Sequence, residues 1–292
     1  MNLRGYNKKS ICIIKLGAVG DVLRTTPILR ALQDFEITWI TSDESYPILE
    51  GNPMIDNLIL VSNVSKLSRL DTVYNFDEDE KACRLAEKLL AKTKKGYGWK
   101  NGEFYPFNKD AEYAYRLSHD DTLKFELNKK TYQQIVFEMA GLIWREEDYV
   151  LGYKPTSKVV HPVGINYMVG RKFPNKLWLH WEELKRMIPS ASMQKMFNNI
   201  KDYIDWINSC EVVVTSDSLG MHIALALKKK VIALMGCTSS AEIEMYGRGI
   251  KLSAGLECSP CYKKEKCNIF PSCMDLIAVE KVYSKIQELF KT

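Results

Sequence analysis

EVVVTSDSLGMHIALAL (residues 211–227) reads as a buried strand, a tight polar turn and a helix. The β-branched run Val212 to Thr215 suits a strand covered on both faces, where side chains need not alternate. Ser216-Asp217-Ser218-Leu219-Gly220 supplies turn residues, and Gly220 to Leu227 continues as an apolar helix. A strand that feeds a helix through a short turn is half of a βαβ unit, the building block of a parallel sheet.

The same order recurs upstream. Ser10 to Leu16 (SICIIKL) predicts a strand, Gly17-Ala18-Val19-Gly20-Asp21 a turn, and Val22 to Gln33 a helix spaced by Leu23, Ile28, Leu29 and Leu32, with Pro27 as its weak point. Further strands are expected at Glu36 to Ile40, Asn57 to Val61 and Thr72 to Phe76, and helices at Ser45 to Glu50, Asp77 to Ala91 and Lys130 to Leu142. After a junction near Lys154 to Ser157 the alternation restarts. Strands are expected at Val159 to Asn166, Glu211 to Thr215 and Val231 to Met235, with helices at Trp178 to Met187, Ile200 to Ser209 and Ile277 to Phe290. The fold class is therefore α/β: two Rossmann-like domains facing a cleft, residues 1–155 and 156–292. A chain of 292 residues, at about 150 per domain, accommodates both. Thr93 to Asp121 breaks the pattern with Gly, Lys, Asn and aromatics, and reads as a long functional loop.

Apolar residues make up 46% and charged residues 26%, ordinary for a soluble globular chain. No apolar stretch approaches the ~18 residues that cross a bilayer. Met1 to Ser10 is polar and carries no signal peptide, so a cytoplasmic protein is expected. A net charge of +5 without a basic stripe interleaved with aromatics does not point to nucleic acid. It fits a solvated surface, or attraction to an anionic substrate or membrane face, the latter implying peripheral contact at the inner membrane.

Three segments carry candidate chemistry. A strand, a Gly-rich turn and a helix form an anion site, because backbone N–H groups and the helix dipole face the ligand. In the first turn Gly17 and Gly20 let the backbone approach a substrate closely. A dinucleotide fingerprint would need a third glycine where Leu23 stands, although Asp43 sits roughly where a ribose-binding acid would. Asp21 reads as a helix N-cap, as a general base, or as both. In the second turn Ser218 and the N–H groups after it can hold a diphosphate, or simply cap the helix. His222 falls in the first helical turn, where a lone histidine is more often structural. The third segment runs from Gly164-Ile165-Asn166 to Arg171, Lys172 and Lys176. Cations after a strand suit phosphate, and a solvated loop is the plain alternative.

Of eight cysteines, Cys258, Cys261, Cys267 and Cys273 lie together, opening with C-x-x-C. Four such thiols can surround a tetrahedral ion, and a reducing compartment argues against a disulfide framework. A structural metal is expected, zinc ahead of iron, with unligated thiols or a regulatory disulfide as other readings. Cys12, Cys83 and Cys210 read as small core residues.

The three segments together make the chain resemble the ADP-heptose:lipopolysaccharide heptosyltransferases of glycosyltransferase family 9. The resemblance rests on Ile14 to Leu23 (IKLGAVGDVL) with Thr26-Pro27, and on Gly164-Ile165-Asn166 with Phe173 to Trp178 (FPNKLW). It rests also on Val213 to Ala224 (VVTSDSLGMHIA), followed by Gly236-Cys237-Thr238 and Tyr246-Gly247. It implies a GT-B fold and inverting transfer that needs no metal or other cofactor for catalysis. By that resemblance Asp21 matches the base that deprotonates the acceptor. Asp217, Ser218, Leu219, Gly220 and His222, with Asn166, match the donor site, and Arg171, Lys172 and Lys176 fall where phosphate-binding cations are supplied. The implied partners are a nucleotide-sugar donor, ADP-sugar favoured, and a glycan or lipid-linked glycan acceptor such as lipopolysaccharide core. The aromatic stretch Thr93 to Asp121 is then the candidate acceptor reader. A subset of the family carries similar cysteines. The chain departs from the pattern at Ile188 to Phe197, which replaces a Gly-Gly-Pro-Glu-like turn, at Cys237 in place of proline, and at Phe173 in place of tryptophan. A nucleotide-sugar epimerase of the same fold, a heptosyltransferase acting on a protein acceptor, and a non-catalytic nucleotide-sugar binding protein are the other readings.

Overall fold

The computed structural model describes residues 8–64, 67–170 and 172–291, which divide into two compact units. The first comprises Met1–Lys124 and Tyr132–Tyr153, the second Phe125–Thr131 and Lys154–Thr292.

In the first unit β1 (Ser10–Ile14) lies between β2 (Glu36–Thr41) and β4 (Leu70–Asn75). With β3 (Asn57–Leu60), β5 (Ala91–Lys100) and β6 (Glu103–Pro106) the sheet order is β3-β2-β1-β4-β5-β6. Every pairing is parallel except β5 with β6. Ile11 to Ile14, Trp39, Ile40 and Val73 are buried, as expected for strands covered on both faces. Helices α1 (Val19–Thr25), α2 (Tyr46–Leu49), α3 (Glu80–Lys88), α4 (Glu112–Leu117) and α5 (Tyr132–Met139) complete the unit.

Two expectations fail here. The helix expected over Val22 to Gln33 starts earlier and breaks. α1 begins at Val19 and ends at Thr25, and Thr26–Leu32 winds as a 3₁₀ helix. Pro27 has no N–H to give the Leu23 carbonyl, and that carbonyl accepts from the Thr26 hydroxyl at 2.7 Å instead. Thr93 to Asp121 is not a loop. It contains most of β5, then β6, a single 3₁₀ turn at Lys109–Ala111, and α4. β5 and β6 form a hairpin turned at Asn101-Gly102, whose φ angles are 56° and 89°. An Asn-Gly pair adopts such angles at low cost, which makes it a preferred two-residue hairpin turn. The aromatics build a small core of their own. Phe104 meets Tyr97, Tyr115 and His119 with ring centroids 5.1, 5.5 and 5.2 Å apart.

In the second unit β7 (His161–Asn166), β8 (Ser192–Met193), β9 (Cys210–Ser216), β10 (Lys230–Leu234) and β11 (Gly249–Leu252) form a parallel sheet in the order β11-β10-β9-β7-β8. Helices α6 (Trp181–Met187), α7 (Ile200–Asn208), α8 (Leu219–Ala226) and α9 (Val279–Lys291) accompany it. Val163, Ile165, Val212, Val214, Ile232 and Leu234 pack against Leu184, Val282 and Ile286. Trp178 lies before α6 as a buried core residue, its indole N–H donating to the Ile277 carbonyl at 2.9 Å. β8, at two residues, is too short for a period to show, and β11 is a further short strand that the sequence reading does not include. Among the described residues no helix is long and apolar enough to cross a membrane.

Open parallel sheets bind ligands beyond the carboxyl ends of their strands, where the strand order reverses. That point lies between β1 and β4 in the first unit, and between β7 and β9 in the second.

Candidate functional site

At the first reversal point the chain leaves β1 through Lys15, Leu16 and Gly17. The Asp77 carboxylate, just past β4, fixes this turn. Its Oδ2 accepts from the N–H groups of Leu16 at 2.7 Å and Gly17 at 3.3 Å, and its Oδ1 meets Lys15 Nζ at 3.3 Å. Lys15 also donates to the Phe76 carbonyl at 3.2 Å. Burial opposes the Lys15 charge, but Tyr132, Asp77 and Asp21 outweigh it and hold its pKa above the ordinary lysine value. Burial also raises Tyr132.

Asp21 is the third residue of α1, not its cap. The N-cap is Ala18, which has no side chain to offer. The Asp21 side chain is 43% exposed, and its Oδ1 lies 3.4 Å from Arg24 Nη1. The Arg24 guanidinium lies over the Tyr132 ring, 4.1 Å from its centroid. The Tyr132 hydroxyl is 3.1 Å from Thr25 Oγ1, which donates to the Asp21 carbonyl at 2.8 Å. Gly20 lies inside α1, and a Cβ added at Gly17 would meet no protein atom within 4 Å. Asp43 is exposed beyond β2.

At the second reversal point, buried Asn166 ends β7. Its amide donates to Thr215 Oγ1 at 2.8 Å and Ser218 Oγ at 3.1 Å, and accepts from the Tyr203 hydroxyl at 2.5 Å. Burial pushes the Tyr203 phenol well above its usual pKa, so it stays a neutral donor. Gly220 is required by this cluster, since a Cβ there would stand 2.3 Å from Tyr203 Oη and 2.6 Å from Asn166 Nδ2.

Ser218 holds the N-cap position of α8 without capping it, because its hydroxyl turns back to Asn166 and Thr215. By contrast, Asp79 and Asn199 close α3 and α7 with side-chain bonds. The start of α8 therefore has no side-chain cap.

Asp217 is buried, and its Oδ2 accepts from Lys176 Nζ and Thr238 Oγ1, both at 2.7 Å. Its Oδ1 lies 3.8 Å from buried His222 Nε2. Lys172 is exposed, with its ammonium 5.7 Å from the Phe173 ring centroid. Arg171 lies outside the described residues.

The structure thus groups Asn166, Lys176, Asp217, Ser218, Gly220 and His222 around one turn, and Gly17 and Asp21 around the other. Sequence reasoning gave no role to Lys15, Asp77, Thr215, Tyr203 or Thr238. A lysine at the end of the apolar run SICIIKL was the one available signal, since a buried charge needs a partner.

The cysteine-bearing loop follows β11. Burial, and then the neighbouring thiols of Cys261, Cys258 and Cys267, raise the Cys273 thiol, so the four sulfurs share one region. Among the described residues no group of three or more Cys, His, Asp or Glu closes to metal-ligating geometry. Cys237 is buried behind the loop, its thiol pushed up to about 12 by burial.

The profile of glycosyltransferase family 9 (heptosyltransferase) matches residues 195–269, which include β9 and α8. The lipopolysaccharide core heptosyltransferase OpsX of Haemophilus influenzae is 24% identical over 275 residues, covering 77% of this chain and 78% of that one. E. coli heptosyltransferase WaaC, solved with ADP-2-deoxy-2-fluoro heptose, superposes with a TM-score of 0.62 at 14% identity, over 96% of this chain and 99% of its own. The iron-containing dodecameric glycosyltransferase TibC of enterotoxigenic E. coli H10407 gives a TM-score of 0.65 at 12% identity, over 98% of this chain and 77% of its own. The α/β fold of these glycosyltransferases, GT-B, is the fold of this chain.

Proposed function

We infer that this chain, a member of glycosyltransferase family 9, transfers a heptose from an ADP-activated donor to a hydroxyl of a lipopolysaccharide-core acceptor. The observation that carries the donor half is the turn after β9. There an uncapped helix start, a buried carboxylate and Lys176 meet at the point where a parallel sheet binds ligands. The N–H groups of Leu219 and Gly220 take the diphosphate, with Lys176, which reaches this turn through Asp217, and Arg171 and Lys172 of the same segment as the cations. Asp217 and His222 face the sugar.

Asp21 acts as the base. Its carboxylate takes the acceptor proton as the acceptor oxygen attacks the anomeric carbon, and the bond to the diphosphate breaks. The attack comes from the face opposite the leaving group, so configuration inverts. The charge that grows on the departing diphosphate is stabilised by oriented N–H groups and cations, so no metal is needed for this step. A thermal-shift comparison of ADP-, UDP- and GDP-sugars tests the donor. Stabilisation by the ADP-sugar alone is expected, and equal shifts with all three would refute the ADP assignment.

The four thiols of Cys258, Cys261, Cys267 and Cys273 would hold a structural ion, zinc first and iron second. A cation stabilises the thiolate form of its ligands, and it would supply shape to the loop, not chemistry. Metal analysis of protein purified without chelator should return about one equivalent, and less than half would overturn this. The chain is further proposed to work on the cytoplasmic side, touching the anionic membrane face. Ile269 and Phe270, 45% and 86% exposed, follow the exposed Lys263, Lys264 and Lys266 in sequence.

A further inference from the structure

Asp217 Oδ2 accepts from Lys176 and Thr238, and each follows a residue gripped by the cysteine-bearing loop. On the lysine side, Asn175 spends its whole side chain on that loop. Its Nδ2 donates to the carbonyls of Lys263 at 3.1 Å and Glu265 at 2.8 Å, and its Oδ1 accepts from Cys267 N–H at 2.8 Å. On the threonine side, the Cys237 carbonyl accepts from the N–H groups of Cys261 at 3.1 Å and Tyr262 at 2.8 Å. The Tyr262 hydroxyl accepts from Ser239 N–H at 3.1 Å and donates to Glu242 at 3.0 Å. Between β11 and α9 the loop has neither strand nor helix. Such bonds to its neighbours are therefore a main part of what fixes its path against them.

Lys176 is held at three points. Its carbonyl accepts from Ser216 Oγ at 2.7 Å, its ammonium meets Asp217, and the residue before it is bolted to the loop. Remove the bolt, and the short Pro174–Lys176 turn keeps only the Ser216 bond and its own Phe173 bond to fix the base of a long side chain.

We propose that Asn175 is a positioning residue, through which the cysteine-bearing loop sets the meeting of Lys176 with Asp217 and thereby the affinity for the donor. Asn175 itself does not touch the donor. The inference rests on the donor-site reading above.

The test is calorimetric titration of ADP into wild type, Asn175→Ala, Lys176→Ala and the double variant of the full chain. Lys176→Ala should weaken ADP about tenfold or more and Asn175→Ala about fivefold, with the double variant no weaker than Lys176→Ala alone. In steady state Asn175→Ala should raise KM for the donor and leave KM for the acceptor unchanged. Full additivity in the double variant would overturn the proposal, because Asn175 would then act independently of Lys176. Wild-type affinity in Asn175→Ala beside a weakened Lys176→Ala would also overturn it, leaving the donor reading intact. Wild-type affinity in Lys176→Ala would instead remove Lys176 from the donor site and the proposal with it. If Asn175→Ala fails to fold by circular dichroism, Asn175→Ser, which retains one hydroxyl, is read by the same criteria.

Discussion

Asp21→Asn separates the roles open to this carboxylate. The side chain is 43% exposed, so asparagine enters without a cavity or a clash. Two stabilising contributions are lost. A carboxylate in the first turn of a helix contributes about 0.3–1 kcal/mol through the helix dipole, and its pair with the buried Arg24 guanidinium, to which the asparagine oxygen still offers an acceptor, contributes about 0.5 kcal/mol. The sum is about 1 kcal/mol, a fall in Tm of roughly 2–4 °C for a chain of this size. The loss of a general base acts on a different scale. It slows a proton-transfer step about 10²- to 10⁴-fold, or roughly 3–5 kcal/mol of barrier at 1.36 kcal/mol per decade. Single-turnover transfer of labelled heptose from ADP-heptose, with donor and acceptor saturating, reads the chemical step directly. A Tm within a few degrees of wild type, with turnover reduced at least 100-fold, is expected. Turnover within about fivefold of wild type would leave Asp21 as a helix-terminus charge and nothing more.

Other perturbations report on the same framework. Gly220→Ala drives a methyl into Tyr203 Oη and Asn166. It should cost about 1–3 kcal/mol in urea denaturation and weaken ADP, and an unchanged midpoint would mean the cluster yields freely. Lys15→Met leaves Asp77 with its two N–H donors but without its cation, so a loss of about 2–3 kcal/mol is expected, and a neutral substitution would refute that pairing as a stabilising one. Burial lifts the thiols of Cys12, Cys83 and Cys237 to about 12 and that of Cys210 to about 11. The native state therefore keeps these protons while the unfolded chain releases them near pH 9, so their contribution is intact below about pH 9 and declines as pH rises through 11–12. At pH 8 a disulfide reagent should leave these four silent until urea is added, and rapid labelling of any of them in the folded protein would contradict the burial.

The fold was legible because parallel strands are written as unbroken apolar runs. SICIIKL and EVVVT announce themselves, and the Gly-rich and Ser-rich turns after them mark both reversal points. What stayed hidden was set by contacts distant in sequence. Lys15 and Asp77 are 62 residues apart, and nothing local shows that one fixes the turn for the other. Of the readings open for Asp21, the cap rested on the preference of aspartate for that position, whereas Ala18, which cannot cap, holds it. The Asn101-Gly102 hairpin carried a legible signal that the surrounding Gly, Lys and Tyr composition obscured. At Asn166 the sequence marked the position but not the reason, which is a side chain whose donor and acceptor groups find partners on the next strand, in the turn and on a helix.

That last feature bears on how fast a ligand can settle. Asn166, Thr215, Ser218 and Tyr203 are hydrogen-bonded to one another before any anion arrives, and the bulk at Gly220 is trimmed to let them close. On the proposed donor reading, the start of α8 therefore meets its ligand from a frame already bonded together. Reorganisation, which slows capture by floppy loops, is largely absent here. Association at this turn should follow diffusion and charge, quickening at low ionic strength, and the lifetime of the complex should carry the differences between ligands.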